Sequence, residues 1–269
     1  MIAVAPQSNE GEFKSVAELL VEEVSPSRLK RWLTCRLQFF FHYLAQIKKP
    51  SKPALAVGKV VHAVLQEFNR ARWRGDFAFR ERLDEVFQAK WTEERESVEW
   101  EESEKTEQTK ALGLIEFYLD QSPIKPDEKP QAVEVRLEAY LGKHGLPKLI
   151  GILDLVRPNR VVVDYKTSSQ TPQADALLHQ NEIQLTSYGL LYRENTGDQE
   201  GGFELHHLVK TKTPKLIVTK LPPITDQQQS RLFKQIESYV AGIEREDFVP
   251  SPSMACLSCS FINECRAWH

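Results

Sequence analysis

Hydrophobic positions change their spacing along the chain, and each change marks a new kind of element. After Ser25-Pro26-Ser27, a helix start with proline in the first turn, Leu29, Leu33, Phe40 and Leu44 recur at helical spacing until Pro50 and Pro53 interrupt. A second helix is predicted from about Leu55, with Val57, Val60, Val61, Val64, Leu65 and Phe68 as its apolar stripe. Helical patterns continue over about 76–92 and 105–120, and Pro123, Pro126 and Pro130 close this part. The period then falls to two. Val133, Val135, Leu137, Ala139 and Leu141 alternate with Glu134, Arg136, Glu138 and Tyr140, which predicts a half-buried strand. Apolar runs over 149–156 and 161–165 read as two more strands joined around Pro158-Asn159. A helix over 174–193, strands over 203–210 and 216–221, and a long helix over 226–245 follow, ahead of a cysteine-rich tail. The expected layout is one α/β domain over 25–269, with a helical block at 55–122, a core sheet at 131–221 and the last helix and tail at 226–269. Residues 1–24 read as a loose arm.

Composition narrows the class. Apolar residues make up 41% of the 269 and charged residues 27%, enough for a packed interior beneath a wetted surface. No apolar run is long enough to span a membrane, the N-terminus does not read as a secretory signal, and a cytoplasmic location is expected. The net charge of −3 speaks at first against a nucleic-acid partner. Its distribution speaks otherwise. Ser25 to Gln66 contains no Asp or Glu but carries Arg28, Lys30, Arg31, Arg36, Lys48, Lys49, Lys52 and Lys59. Residues 93–107 hold eight Glu against Arg95 and Lys105. The basic stretch is either a solvated helix face or a phosphate-binding surface. Trp32, Phe39, Phe40, Phe41 and Tyr43 are interleaved with it, and most are expected in the core.

The chemistry-bearing residues lie where apolar strands end in charge. Gly151-Ile-Leu-Asp154 is followed by Val161-Val-Val-Asp164-Tyr-Lys166. Two successive strands that each deliver a carboxylate suggest a shared hard cation, whereas Asp164 and Lys166 alone would serve equally as a buried ion pair. A two-residue turn at Pro158-Asn159 would set Asp154 opposite Val163 and turn Asp164 to the other face. A longer connection would align the aspartates, and that arrangement is predicted. Gly58-Lys-Val-Val-His62 places a glycine one turn before an imidazole, and Gln184-Leu-Thr-Ser-Tyr188 puts an amide and a phenol on one helix face. Each of these two is weak alone.

Together, in this order, the four elements resemble the RecB-like branch of the PD-(D/E)xK nuclease superfamily, over roughly residues 25–265. The resemblance implies an α/β, restriction-endonuclease-like core, a mixed central sheet flanked by helices, with an N-terminal helical block. It implies a Mg²⁺ or Mn²⁺ ion held by His62, Asp154, Asp164 and the backbone carbonyl of Tyr165. Lys166 would serve the attacking water, with Gln184, Tyr188 and, on the first core strand, Glu134 in support. The implied activity is hydrolysis of DNA, as an exonuclease on single-stranded ends, in repair and recombination or in CRISPR adaptation. Helicases or CRISPR integration proteins are the implied partners. No Walker-type phosphate loop is present, so any helicase motor would be a separate chain. The alternative is a non-catalytic iron–sulfur DNA-binding subunit of a helicase–nuclease complex.

The four cysteines, Cys35, Cys256, Cys259 and Cys265, are too few for a disulfide scaffold, and a Cys₄ set can hold zinc or an iron–sulfur cluster. One distant cysteine plus a C-terminal trio resembles the [4Fe-4S] staple of AddB-type and CRISPR-associated RecB-like nucleases. The family usually has proline after the first cysteine, where this chain has Arg36.

Overall fold

The computed structural model describes residues 14–100 and 104–268. Its elements are α1 (Val16–Glu22), β1 (Glu23–Val24), α2 (Pro26–Thr34), α3 (Arg36–Phe39), α4 (Pro53–Arg74), α5 (Leu83–Arg95) and α6 (Glu104–Gln121). There follow β2 (Ala132–Ala139), β3 (Lys148–Val156), β4 (Val162–Ser168), α7 (Ala174–Thr196), β5 (Phe203–Val209), β6 (Lys215–Leu221), α8 (Asp226–Glu244) and α9 (Ile262–Arg266).

The strands form one mixed sheet. β2 runs antiparallel along one edge of β3. At the other edge, β1 pairs in parallel with the start of β3 and β4 pairs antiparallel with its end. β5 lies parallel to β4, and β6 antiparallel to β5. β3 and β4 pair only at Leu155–Val163 and Val156–Val162. The connection between them is longer than two residues, with Arg157 N–H donating to Val161 and Arg160 in the left-handed region at φ 65°. In this register position 154 faces position 164, and beyond it the strands part into a fork.

Two apolar layers cover the sheet. On one side α1, α2, α7 and α8 bury Leu29, Trp32, Leu185, Leu191 and Tyr239 against Leu149, Leu153, Val162 and Leu205. On the other, α4, α5 and α6 bury Val61, Val64, Phe87 and Ile115 against Leu155, Val163, Tyr165 and Leu208. Trp32, Phe39 and Phe41 are core residues, and Trp32 meets Phe39 edge-to-face at 5.4 Å.

Four details depart from the sequence reading. Val133 packs with α4–α6, whereas Val135 and Leu137 pack with α7, so β2 exchanges faces at Glu134. Glu134 adopts a left-handed φ of 47°, which explains the reversal. The helix read through Leu29 to Leu44 breaks at Cys35, whose φ of −165° is extended, and ends as a π-turn over Phe40–Leu44. Residues 76–92 begin with a 3₁₀ turn, Ala78–Arg82, before α5. Of the arm expected over 1–24, Val16–Val24 is α1 and β1, capped by Ser15 and Glu18 and anchored where Tyr239 donates to the Leu20 carbonyl at 2.9 Å. The arm's first 13 residues, and three residues of the acidic segment, lie outside the described residues.

Candidate active site

The fork between β3 and β4 draws the sequence motifs together. Asp154 Oδ2 accepts a hydrogen bond of 3.0 Å from the Tyr165 N–H, which the parting of the strands has left without a ladder partner. His62 Nδ1 stands 3.4 Å from the same oxygen. α4 can bring His62 this close because residue 58 is glycine: a Cβ there would lie 3.0 Å from Thr167 Oγ1 at the end of β4. Gly151 serves α7 in the same way, since its Cβ would lie 2.6 Å from Leu191 Cδ1 and 3.5 Å from Tyr188. Each of these glycines is a point of close approach between a helix and the forked strands β3 and β4.

Gln184 is the clamp on the other side. Its Oε1 accepts from Lys166 Nζ at 2.7 Å, and its Nε2 donates to Asp164 Oδ1 and to the Tyr188 hydroxyl oxygen, each at 2.8 Å. Lys166 Nζ also lies 2.8 Å from Asp164 Oδ2. That contact is an ion pair without hydrogen-bond alignment, so Asp164 Oδ2 remains a buried oxygen with no hydrogen-bond donor. Asp164 is only 2% exposed.

The electrostatics follow from crowding acids in a fork. Burial, and then the Asp164 charge, pushes the Asp154 carboxyl well above the ordinary aspartate range, and Glu134 adds to this. Burial likewise pushes the Glu134 carboxyl up. Burial pushes the His62 imidazole below its ordinary value, which outweighs the pull of Asp164 toward protonation. A neutral ring keeps a lone pair for a cation. Buried Tyr188 is pushed up and stays a phenol.

These groups fit a hard divalent ion. A neutral imidazole, two repelling carboxylates and an oxygen without an aligned hydrogen-bond donor make a set of hard ligands, with the Lys166 ammonium 2.8 Å from Asp164 already beside it. Among the described residues, no three His, Cys, Asp or Glu side chains come together closely enough to hold a metal ion by themselves. The cleft over the fork measures about 460 Å³ and is lined by Asp154, Gln184, Tyr188, Lys30 and Arg136 among others.

The sequence profile of the PD-(D/E)XK nuclease superfamily matches residues 23–266. The chain belongs to this superfamily. A solved structure of a candidate exonuclease from Eubacterium rectale covers 99% of this chain and 94% of its own, with a TM-score of 0.63 at 16% identity, a likeness that shows the fold. The solved structure of SSO0001 covers 90% of this chain and 95% of its own at 15% identity, and its TM-score of 0.38 carries no argument. No protein of curated function matches the chain. The fold is thus the restriction-endonuclease-like one of the PD-(D/E)XK nucleases, a mixed sheet flanked by helices. No helix among the described residues is long and apolar enough to cross a membrane.

A polar network that the sequence motifs do not include lies beneath the cleft. Tyr165 OH receives a hydrogen bond from Asn69 at 2.9 Å, and Asn69 in turn accepts from Arg72 at 2.8 Å. Tyr118 OH meets His206 Nδ1 at 2.9 Å, and His206 Nε2 lies 3.2 Å from Glu204. The network joins α4 and α6 to β4 and β5 and fixes the tyrosine between the two site residues Asp164 and Lys166. His207, paired with Lys166 across the β4–β5 ladder, is buried with Nδ1 unpartnered. The run Phe-Glu-Leu-His-His-Leu-Val, three titratable groups in an otherwise apolar strand, was the available signal.

The four cysteines line one small cavity of about 60 Å³, rimmed by Leu37, Phe41 and Phe261. Cys35 sits at the break between α2 and α3, Cys256 in a 3₁₀ turn, Cys259 just after it and Cys265 in α9. None is in a disulfide. Burial, and then the nearness of the other thiols, pushes the Cys265 thiol up. Gln38 Nε2 lies 3.5 Å from Cys259 Sγ, and the Ser253 N–H 3.4 Å from Cys256 Sγ.

Proposed function

We propose that this chain is a divalent-cation-dependent deoxyribonuclease that hydrolyses phosphodiester bonds, working as an exonuclease on single-stranded ends. The observation that carries the reading is Asp164. Its buried Oδ2 has no aligned hydrogen-bond donor beyond the Lys166 ion pair, and burial, then the Asp164 charge, pushes the neighbouring Asp154 carboxyl up, a crowding of acids that a bound cation would relieve. His62, Asp154, Asp164 and the Tyr165 carbonyl would hold Mg²⁺ or Mn²⁺. Once bound, such an ion would polarise phosphate and acidify a coordinated water. The chain's own residues do the rest. Asp164 and Gln184 fix the Lys166 ammonium at the fork, where it would face the charge that develops on phosphorus oxygens or hold the water. Tyr188 fixes Gln184.

The four cysteines are read as the ligands of a [4Fe-4S] cluster that ties α2 and α3 to the C-terminal tail. Support comes from their shared cavity, its apolar rim and the two hydrogen-bond donors at sulfur. Such a cluster would supply folding energy by closing a loop of over two hundred residues.

The test is anaerobic purification, a visible spectrum with iron, sulfide and zinc analysis, and cleavage of end-labelled single-stranded DNA with Mn²⁺ or Mg²⁺. Lys166→Ala is expected to lose about 10²–10³-fold in kcat. Equal cleavage by both proteins would remove the catalytic reading, and stoichiometric zinc would replace the cluster.

A further inference from the structure

A second, larger cavity begins where the cleft ends. It is a groove of about 860 Å³ between α2, α3, the loop leading to α4 and the cysteine tail. Ser27 and Lys30 line both the cleft and the groove, so the two form one continuous trough. No Asp or Glu lines the groove, while Lys30, Arg31, Lys48, Lys49 and Lys52 all do. Lys49 is compensated by Glu264, 2.5 Å away. Among the described residues, Lys30, Arg31, Lys48 and Lys52 make no ion pair with a carboxylate: Lys30 reaches only the Gln180 carbonyl at 3.4 Å, and Lys52 the Ser258 carbonyl. Exposed Leu55 and half-buried Ile47 add apolar surface to the same groove. A line of uncompensated cations with apolar surface in the same groove suits one unpaired strand, its phosphates on the cations and its bases on the apolar surface.

We propose that Lys30 holds the phosphate next to the one under attack and turns a single DNA strand out of the cleft into this groove, where Arg31, Lys48 and Lys52 meet the following phosphates. Ser258, Ser260 and Phe261 form the far wall, so the cysteine tail helps to shape the substrate path. The inference rests on the nuclease reading for the identity of the cleft, but its binding part stands independently of cleavage.

Two measurements on the full chain decide it. In EDTA, where no cleavage interferes, anisotropy of a labelled oligothymidylate is followed over a range of KCl for wild type, Lys30→Met and Lys30→Arg. One lost phosphate contact should flatten the plot of log K against log salt by about 0.7 in Lys30→Met, while Lys30→Arg keeps the wild-type slope. With Mn²⁺, a single neutral methylphosphonate is then walked along the oligonucleotide. In the wild type, neutralising the linkage beside the cleaved one should lower kcat/KM about tenfold, and in Lys30→Met the same linkage should be silent. Equal salt slopes for all three proteins, or equal sensitivity of Lys30→Met to that linkage, overturns the proposal. If the wild type cleaves nothing with either metal, the nuclease reading fails, and the salt slopes alone still decide for or against Lys30.

Discussion

Replacing Gln184 by leucine removes the group on which the most contacts of the site depend. The amide makes three hydrogen bonds of 2.7–2.8 Å, two of them to the charged partners Lys166 and Asp164. A hydrogen bond to a charged group contributes about 1.5–3 kcal/mol and a neutral one about 1 kcal/mol. Leucine also leaves Asp164 Oδ1 and the Tyr188 hydroxyl without that partner in a buried setting. Water in the adjoining cleft offsets part of this, so a net loss of about 2–3 kcal/mol is expected, which lowers Tm by roughly 5–10 °C in a chain of this size. The effect on rate should be larger than stability alone implies. Lys166 has two anchors, Gln184 and Asp164, and loses the one that sets its direction. A displacement of about 1 Å of such a group costs about 10²-fold. Kinetics at saturating Mn²⁺ and single-stranded DNA, well below the lowered Tm, should therefore show kcat reduced by about 30–100-fold with KM changed by less than about threefold. A variant with normal kcat and normal melting would show that the amide neither positions the lysine nor satisfies the aspartate.

Metal binding should depend on pH with a definite sign. The folded-state carboxyl of Asp154 is raised, so without a cation its contribution favours the folded chain at low pH and is lost as pH rises through the raised value. His62 is lowered, so its contribution is present above the ordinary histidine value and lost as pH falls through the lowered one. A cation needs both groups deprotonated. Added Mn²⁺ should thus raise Tm more at pH 8 than at pH 5, by roughly 5–10 °C at a hundredfold excess over Kd, and equal gains at the two pH values would contradict the ligand set. Gly151→Ala should cost about 1–3 kcal/mol, because its Cβ would lie 2.6 Å from Leu191, with part of the loss recovered on adding Leu191→Val. Denaturant melts of the two variants test this, and a fully stable Gly151→Ala would mean that α7 does not depend on the close approach.

The parts of the site legible in the sequence were those whose residue type is itself costly or unusual in its place. Asp154 and Asp164 interrupt apolar strands, and Gly58 and Gly151 remove a Cβ where helix and strand meet, so each leaves a mark in a single sequence. The longer β3–β4 connection followed from requiring the aspartates to share a face. What stayed hidden depends on backbone conformation or on distant pairing. Nothing about glutamate announces the left-handed φ of Glu134, so strict alternation put Val133 on the wrong face. The break at Cys35 lies in a stretch with continuous helical spacing, and its extended backbone is set by tertiary contacts, such as the Leu37 N–H donating to the Val249 carbonyl. In the sequence Lys30 is one basic residue among eight, because its place at the cleft depends on packing α2 against α7, about 150 residues away.

Glu134 ties strain to function in a way that can be measured. A non-glycine residue in the left-handed region costs about 1–2 kcal/mol, and asparagine tolerates it better. Glu134 is nevertheless held there, across from Asp154 in the β2–β3 register, where its charge raises the Asp154 carboxyl further. Both terms disfavour the folded chain without a cation. Glu134→Asn relieves both, and should gain about 0.5–1 kcal/mol, seen as a Tm higher by roughly 1–4 °C in EDTA. If the strain persists because the site needs an acid at that point, the same variant should lose about tenfold or more in kcat with Mn²⁺. Higher stability with undiminished activity would make Glu134 a surface residue whose conformation serves only the exchange of faces in β2. Lower stability would show that its side chain makes a compensating contact, and the argument from strain would fall.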